Sequence, residues 1–196
     1  MNLIETIDKT IKELWLEDIA LDYSSHRLLK EDCLKNSFYY HLRRRLGDEF
    51  LDDNNLQIFT EFNDGPLHGT GKRADIAIVK LKPEGKEGYS GHLRNYIDEI
   101  IAIIELKHKS GQSATEDIYK DFQKLKDYMQ LDNIECQYYE GVIHEVYWEK
   151  KSWLDKRSTN NWAKGKVTEL VASCNEDYKI EFDIFSYNGL NTKLGK

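Results

Sequence analysis

Residues 100 to 104 read Ile-Ile-Ala-Ile-Ile, and the run passes without a break into Glu105, Leu106 and Lys107. No polar position alternates with these five apolar ones. The segment therefore reads as a strand covered on both faces, central in its sheet. The apolar run ends in charge. Residues two apart in a strand share a face, so Glu105 and Lys107 project together, on the face of Ile101 and Ile103. Thirty residues before Glu105, the stretch RADIAIV (Arg73 to Val79) forms a second half-buried strand with an acid inside it. Asp75 shares its face with Ala77 and Val79. If the two strands pair as neighbours, Asp75, Glu105 and Lys107 can converge near the sheet edge.

The elements around these strands point to one architecture. In MNLIETIDKTIKELWLEDIALDY, Leu3, Ile4, Ile7, Ile11, Leu14 and Trp15 fall on one face of an amphipathic helix. Charges interrupt it too often for a signal peptide or a membrane span. Tyr23 to Ser25 is a break, with Ser24 or Ser25 as an N-cap, and a second helix then runs to Leu46 and stops at Gly47. Leu56 to Asn63 alternates as a strand. A Gly-rich loop leads into the Asp75 strand, and a long polar loop separates that strand from the Glu105 strand. Beyond it, Ser113 or Thr115 caps a helix whose buried stripe is Ile118, Phe122, Leu125 and Met129. CQYYEGVIHEVYW reads as a strand, NWAKGKVTELVASCN as a helix, and YKIEFDIFSYN as a last strand. The order α α β β β α β α β predicts an α/β (α+β) fold, a mixed central sheet flanked by helices, in one domain over residues 1–196.

Composition narrows the class. Hydrophobic residues make up 40% of the chain and charged residues 32%, which suits a globular domain. The net charge of −7 argues against a uniformly basic nucleic-acid binder, while leaving room for a local basic groove and for a site that gathers carboxylates. Three cysteines, Cys33, Cys136 and Cys174, include no C-x-x-C pair, so a structural zinc site is not expected, and free thiols fit a reducing cytoplasm.

Two carboxylates buried side by side repel each other and lose hydration, and a divalent cation removes both penalties. Carboxylate and carbonyl oxygens suit Mg²⁺ (or Mn²⁺). An adjacent lysine can orient an attacking water or stabilise charge that builds on a phosphate. Asp75, Glu105 and Lys107 therefore read as a metal-dependent phosphodiester hydrolysis site. The plainer alternative is that Glu105 and Lys107 mark where a strand leaves the core and that Asp75 is salt-bridged. In the second helix, Leu34, Phe38 and Leu42 lie within about 60° of Glu31 at 100° per residue. Glu31 thus sits on the apolar stripe. A metal ion would explain it, and so would the helix dipole at an N-terminus.

Taken together, Glu31 on a helix, Asp75 in a strand, Glu105-Leu106-Lys107 in the next, and a helix EDIYKDFQKLKDYM behind them resemble the PD-(D/E)XK nuclease superfamily, the restriction-endonuclease-like fold. The likeness covers residues 30 to 129, with a nuclease-like core of about 24–130 and the C-terminal strands and helix completing the sheet. It implies that Asp75 and Glu105 bind the metal with the Leu106 carbonyl, that Glu31 completes the ligand set, and that Lys107 is the catalytic lysine. It also implies a nucleic-acid partner, DNA in the first place, and a homodimer, since many nucleases of this fold pair to cut both strands. Ala74 stands where the motif's name has Pro. A non-catalytic nucleic-acid-binding or interaction protein on the same fold is the rival reading, motivated by the negative charge.

Further residues enter with smaller roles. Glu61, on the preceding strand, points either into the same site or into solvent. Gln112 comes after the Glu105 strand and is placed to help bind substrate, while Asp121 and Lys124 lie near the end of the helix over the sheet. Arg43 and Arg44 at the end of the second helix, with Lys109, are expected nucleic-acid contacts, although arginines there also complement the helix dipole. GTGKRAD is not a P-loop, because no Ser or Thr succeeds the Lys and the loop leads into a strand.

Overall fold

The computed structural model describes residues 2–83, 92–110, 115–131, 136–147, 152–154, 162–163 and 165–190. The chain opens with helix α1 (Leu3–Leu14), which continues through a π-helical turn (Trp15–Ile19) into α2 (Ala20–Ser24). Asn2 and Glu5 close a capping box at its start: the Glu5 N–H donates to Asn2 Oδ1 at 2.8 Å, and the Asn2 N–H donates to the Glu5 carboxylate at 3.1 Å. Ile7, Ile11, Leu14 and Trp15 are buried, as the apolar face predicts. Helix α3 (Glu31–Leu46) comes next, then a short α4 (Asp48–Asp53). Six strands and one more helix complete the fold: β1 (Leu56–Phe62), β2 (Ala74–Leu81), β3 (Ile97–Lys109), α5 (Thr115–Tyr128), β4 (Gln137–Tyr147), β5 (Val167–Cys174) and β6 (Ile180–Ser186).

The strands form one mixed sheet in the order β1-β2-β3-β4-β5-β6. Pairing is antiparallel from β1 to β3, parallel for β3-β4 and β4-β5, and antiparallel for β5-β6. The parallel β3-β4 step requires a crossover, which α5 supplies. One face of the sheet packs Ile76, Ile104, Leu106 and Tyr139 against α1 and α3. The other packs Ala77, Val79, Ile103, Tyr138 and Val142 against Ile118, Phe122, Leu125 and Tyr128 of α5. The fold is thus α/β, helices over both faces of a mixed sheet. Among the described residues, no helix is long and apolar enough to cross a membrane.

Three expectations are corrected. The described residues of the stretch 161–175 do not form a helix. The stretch from Val167 to Cys174 is β5, buried at all eight positions between β4 and β6. A strand covered on both faces loses the polar alternation that would have marked it. The second helix begins at Glu31 rather than after Ser24 or Ser25, and Lys30 caps it without a side-chain bond. The preceding helix runs on to Ser24, and His26, at φ +56°, turns the chain out of it. Finally, Ile101 does not share the face of Ile103. The β2-β3 register slips between Ile78 and Val79, and the extra residue sends Ile101 to the α3 side.

Candidate functional site

Strands β2 and β3 are neighbours. Their antiparallel register pairs Ile76 with Ile104, which sets Asp75 beside Glu105. On the other side, the pairs Thr60–Ile76 and Phe62–Ala74 set Glu61 of β1 beside Asp75. Glu105 pairs directly with Glu140 of β4, and Glu140 with Glu169 of β5. A carboxylate thus occupies the same level of five adjacent strands. Like charges at strand spacing repel, so each member needs a partner.

Most members have one. The Asp75 carboxylate accepts the Leu106 N–H at 2.8 Å and pairs with Lys35 at 2.9 Å. Lys35, on α3, also holds Glu61, which Arg73 grips from outside at 2.5 Å. Glu61 sits at φ +54°, in the left-handed region. Glu105 is buried. It accepts from Lys124 at 2.6 Å and from the Tyr128 hydroxyl at 3.0 Å, both on α5. Glu169 accepts the Leu154 N–H and the Ser152 hydroxyl, each at 2.6 Å. Lys107 lies between two helices, 3.1 Å from Glu31 of α3 and 3.0 Å from Asp121 of α5.

Burial and charge act on these groups in opposite directions. Burial pushes the Glu105 carboxyl up to about 8, and neighbouring Asp75 adds to the shift; Lys124 and Tyr128 oppose it without reversing it. The short Lys124 contact alone would suggest an ionised pair, but a carboxylate this deeply buried loses more by ionising than one half-exposed ammonium restores. Burial draws the Lys107 ammonium down, yet Asp121 and Glu31 more than offset it and hold it above the ordinary lysine range. Lys35 is raised for the same reason, by Glu61 and Asp75 against its burial. With every group ionised, six carboxylates (Glu31, Glu61, Asp75, Glu105, Asp121, Glu140) face four cations (Lys35, Arg73, Lys107, Lys124). Two negative charges would then be left over; the upward shifts of Glu105 and of Glu140, both driven first by burial, remove that surplus by favouring the protonated carboxyls.

The structure therefore brings together Glu31, Glu61, Asp75, Glu105, Leu106 and Lys107. Asp121 and Lys124 join them. Arg43 and Arg44 do not. They lie more than three turns along α3 from Glu31, about 18 Å at 1.5 Å per residue, where Arg43 pairs with Asp48 and Arg44 with Asp18. Lys109 is held by Asp117 at 2.9 Å, past the cluster on β3. Gln112 lies outside the described residues. Sequence reasoning missed Lys35, Tyr128 and Glu140. Lys35 stands one helical turn after Glu31, and Tyr128 one turn after Lys124, so helical spacing carried a signal for both. Glu140 carried the signal that exposed Asp75, an acid inside an apolar strand.

The donor set fits a hard divalent cation in chemistry: carboxyl oxygens on adjacent strands, two more carboxyl groups than cations and, among the described residues, one buried carboxyl without a donor. Among the described residues, no three acids converge within ligating reach of one point, because lysines stand between them. Beside the cluster lies an open cavity of about 520 Å³, lined by Asn63, Leu67, Gly69, Gly71, Lys72, Arg73 and Lys124. No known protein family, curated protein or solved structure matches this chain.

Proposed function

We propose that this chain is a metal-dependent nuclease of the PD-(D/E)XK type, hydrolysing nucleic-acid phosphodiester bonds with Mg²⁺ or Mn²⁺. The observation that carries the reading is the juxtaposition of Asp75 and Glu105 on paired strands, with Leu106 between them in the cluster and Lys107 next on the same face. Asp75, Glu105, the Leu106 carbonyl and Glu31 would hold the ion. When bound, it would supply a Lewis acid for the phosphoryl oxygen and a water of lowered pKa. Lys107 is held as an ammonium by Glu31 and Asp121, so it serves as a donor that orients water and stabilises charge on the phosphate, not as a base. Lys72, Arg73 and Lys124 give the adjacent cavity the positive charge that a phosphate backbone requires. The protein is expected to cleave DNA or RNA with Mg²⁺ or Mn²⁺ and to lose at least about 100-fold in rate on Asp75→Ala. Cleavage by no substrate class, or cleavage undiminished in Asp75→Ala, overturns the proposal.

One observation favours the rival, a non-catalytic nucleic-acid-binding protein on this fold. Lysines already occupy the space between the carboxylates, which is how a purely structural ion-pair network is built. Calorimetry separates the two: millimolar Mg²⁺ binds to a nuclease of this type, and the rival predicts no heat of binding.

A further inference from the structure

The five-strand row of carboxylates has one exceptional member. Glu61, Asp75, Glu105 and Glu169 each accept from a lysine, an arginine, a hydroxyl or a backbone N–H. Glu140 is completely buried, and among the described residues neither of its oxygens has a hydrogen-bond partner. Its surroundings offer no relief. The charged groups that act on it are Asp121, Glu105 and Asp75, with Lys107 alone of opposite sign, and Lys107 is already shared by Glu31 and Asp121. A glutamine or methionine would fill the same volume without a buried carboxyl.

The backbone holds Glu140 in this position. A Cβ on the next residue, Gly141, would stand 2.6 Å from Leu106 Cδ2 and 3.4 Å from a Trp15 ring carbon. The missing side chain lets β4 lie close against the Leu106 and Trp15 side chains, with Glu140 in direct register with Glu105. A buried polar group without a partner, inside a cluster with more carboxyl groups than cations, marks a place where a positively charged ligand completes the structure.

We propose that Glu140 is a further carboxylate of the cation site, contributed by β4 and engaged when a divalent ion enters the cluster. This rests on the metal-dependent reading of the Asp75–Glu105 site. The test titrates Mn²⁺ alone, without nucleic acid, into the full chain and into Glu140→Gln and Glu140→Asp, tracking free Mn²⁺ by electron paramagnetic resonance and thermal unfolding in parallel. Glu140→Gln keeps the volume and removes the charge. It is expected to melt at or above the wild-type temperature without metal and to bind Mn²⁺ at least about 10-fold more weakly. Glu140→Asp keeps the charge at shorter reach and is expected to bind with intermediate affinity. Wild-type binding with unchanged affinity in both variants overturns this inference and leaves the Asp75–Glu105 site standing. No binding by the wild type overturns both. Loss of folding in both variants assigns Glu140 to packing and overturns the inference.

Discussion

Tyr139 and Glu140 are neighbours on β4 and face opposite sides of the sheet, and the two polar clusters they enter differ in kind. On the α1 side, the Tyr139 hydroxyl donates to Asp8 at 2.9 Å. Asp8 also accepts from Lys12 at 2.7 Å and from the Asn188 amide at 2.8 Å. Among the described residues, one buried carboxylate meets one buried ammonium and two neutral donors. On the α5 side, Glu140 meets three acids and no donor among the described residues. Among the described residues the first cluster is balanced, and it ties the N-terminal helix to β4 and to Asn188. The second holds more carboxyl groups than cations, and burying them without partners costs stability in the absence of a ligand. Balanced polar clusters hold a fold together; unbalanced ones point to function.

The contrast predicts opposite signs for similar substitutions. Asp8→Ala strips the buried Lys12 of its carboxylate and is expected to cost about 3–5 kcal/mol in denaturant unfolding, whereas Glu140→Gln on the opposite face costs nothing. Destabilisation of equal size in both would erase the distinction between the clusters. Next in size is Gly141→Ala. The new methyl meets the Leu106 side chain, which is completely buried, and overpacking of this kind costs about 1–3 kcal/mol. Stability unchanged in this variant would remove the close packing said to hold Glu140 in place.

Glu169 sharpens the comparison within the row itself. Burial pushes its carboxyl up to about 7, while Ser152 and the Leu154 N–H pull the other way. The folded state therefore binds the proton more tightly than the unfolded chain. Its contribution is complete below the unfolded value near 4.5 and is lost as pH rises through about 7. Glu169→Gln is expected to flatten that part of the stability–pH curve measured by urea unfolding, and a curve of unchanged slope would contradict the assignment. The smallest effect belongs to Arg43→Ala. Its exposed pair with Asp48 is worth about 0–1 kcal/mol, and its distance from the cluster leaves nucleic-acid cleavage unchanged. A large loss of cleavage in Arg43→Ala would return the end of α3 to the site.

Much of this was legible in the chain, for local reasons. Asp75, Glu105 and Lys107 are charges set in apolar strands, and one strand's composition is enough to reveal such a conflict. Their convergence came from strand order alone, and the β2–β3 pairing bears it out. What escaped was produced by the assembled sheet. The row from Glu61 to Glu169 exists only through register across five strands. Ile101 changes face through a bulge that no period-2 pattern announces. Strand β5 is covered on both faces and so shows no alternation to separate it from a helix. Arg43 and Arg44 were placed by charge alone, and charge does not specify which end of a helix meets a site.

The central claim is that the surplus of carboxyl groups around Asp75 and Glu105 serves a metal ion while Lys107 serves the reaction. The most direct measurement compares Lys107→Ala with the wild type, reading Mn²⁺ affinity and Mn²⁺-dependent cleavage on the same samples. Removing Lys107 frees Glu31 and Asp121, so Mn²⁺ is predicted to bind at least as tightly, while cleavage slows by at least about 100-fold. Cleavage at the wild-type rate, or an absence of Mn²⁺ binding in both proteins, would contradict the account.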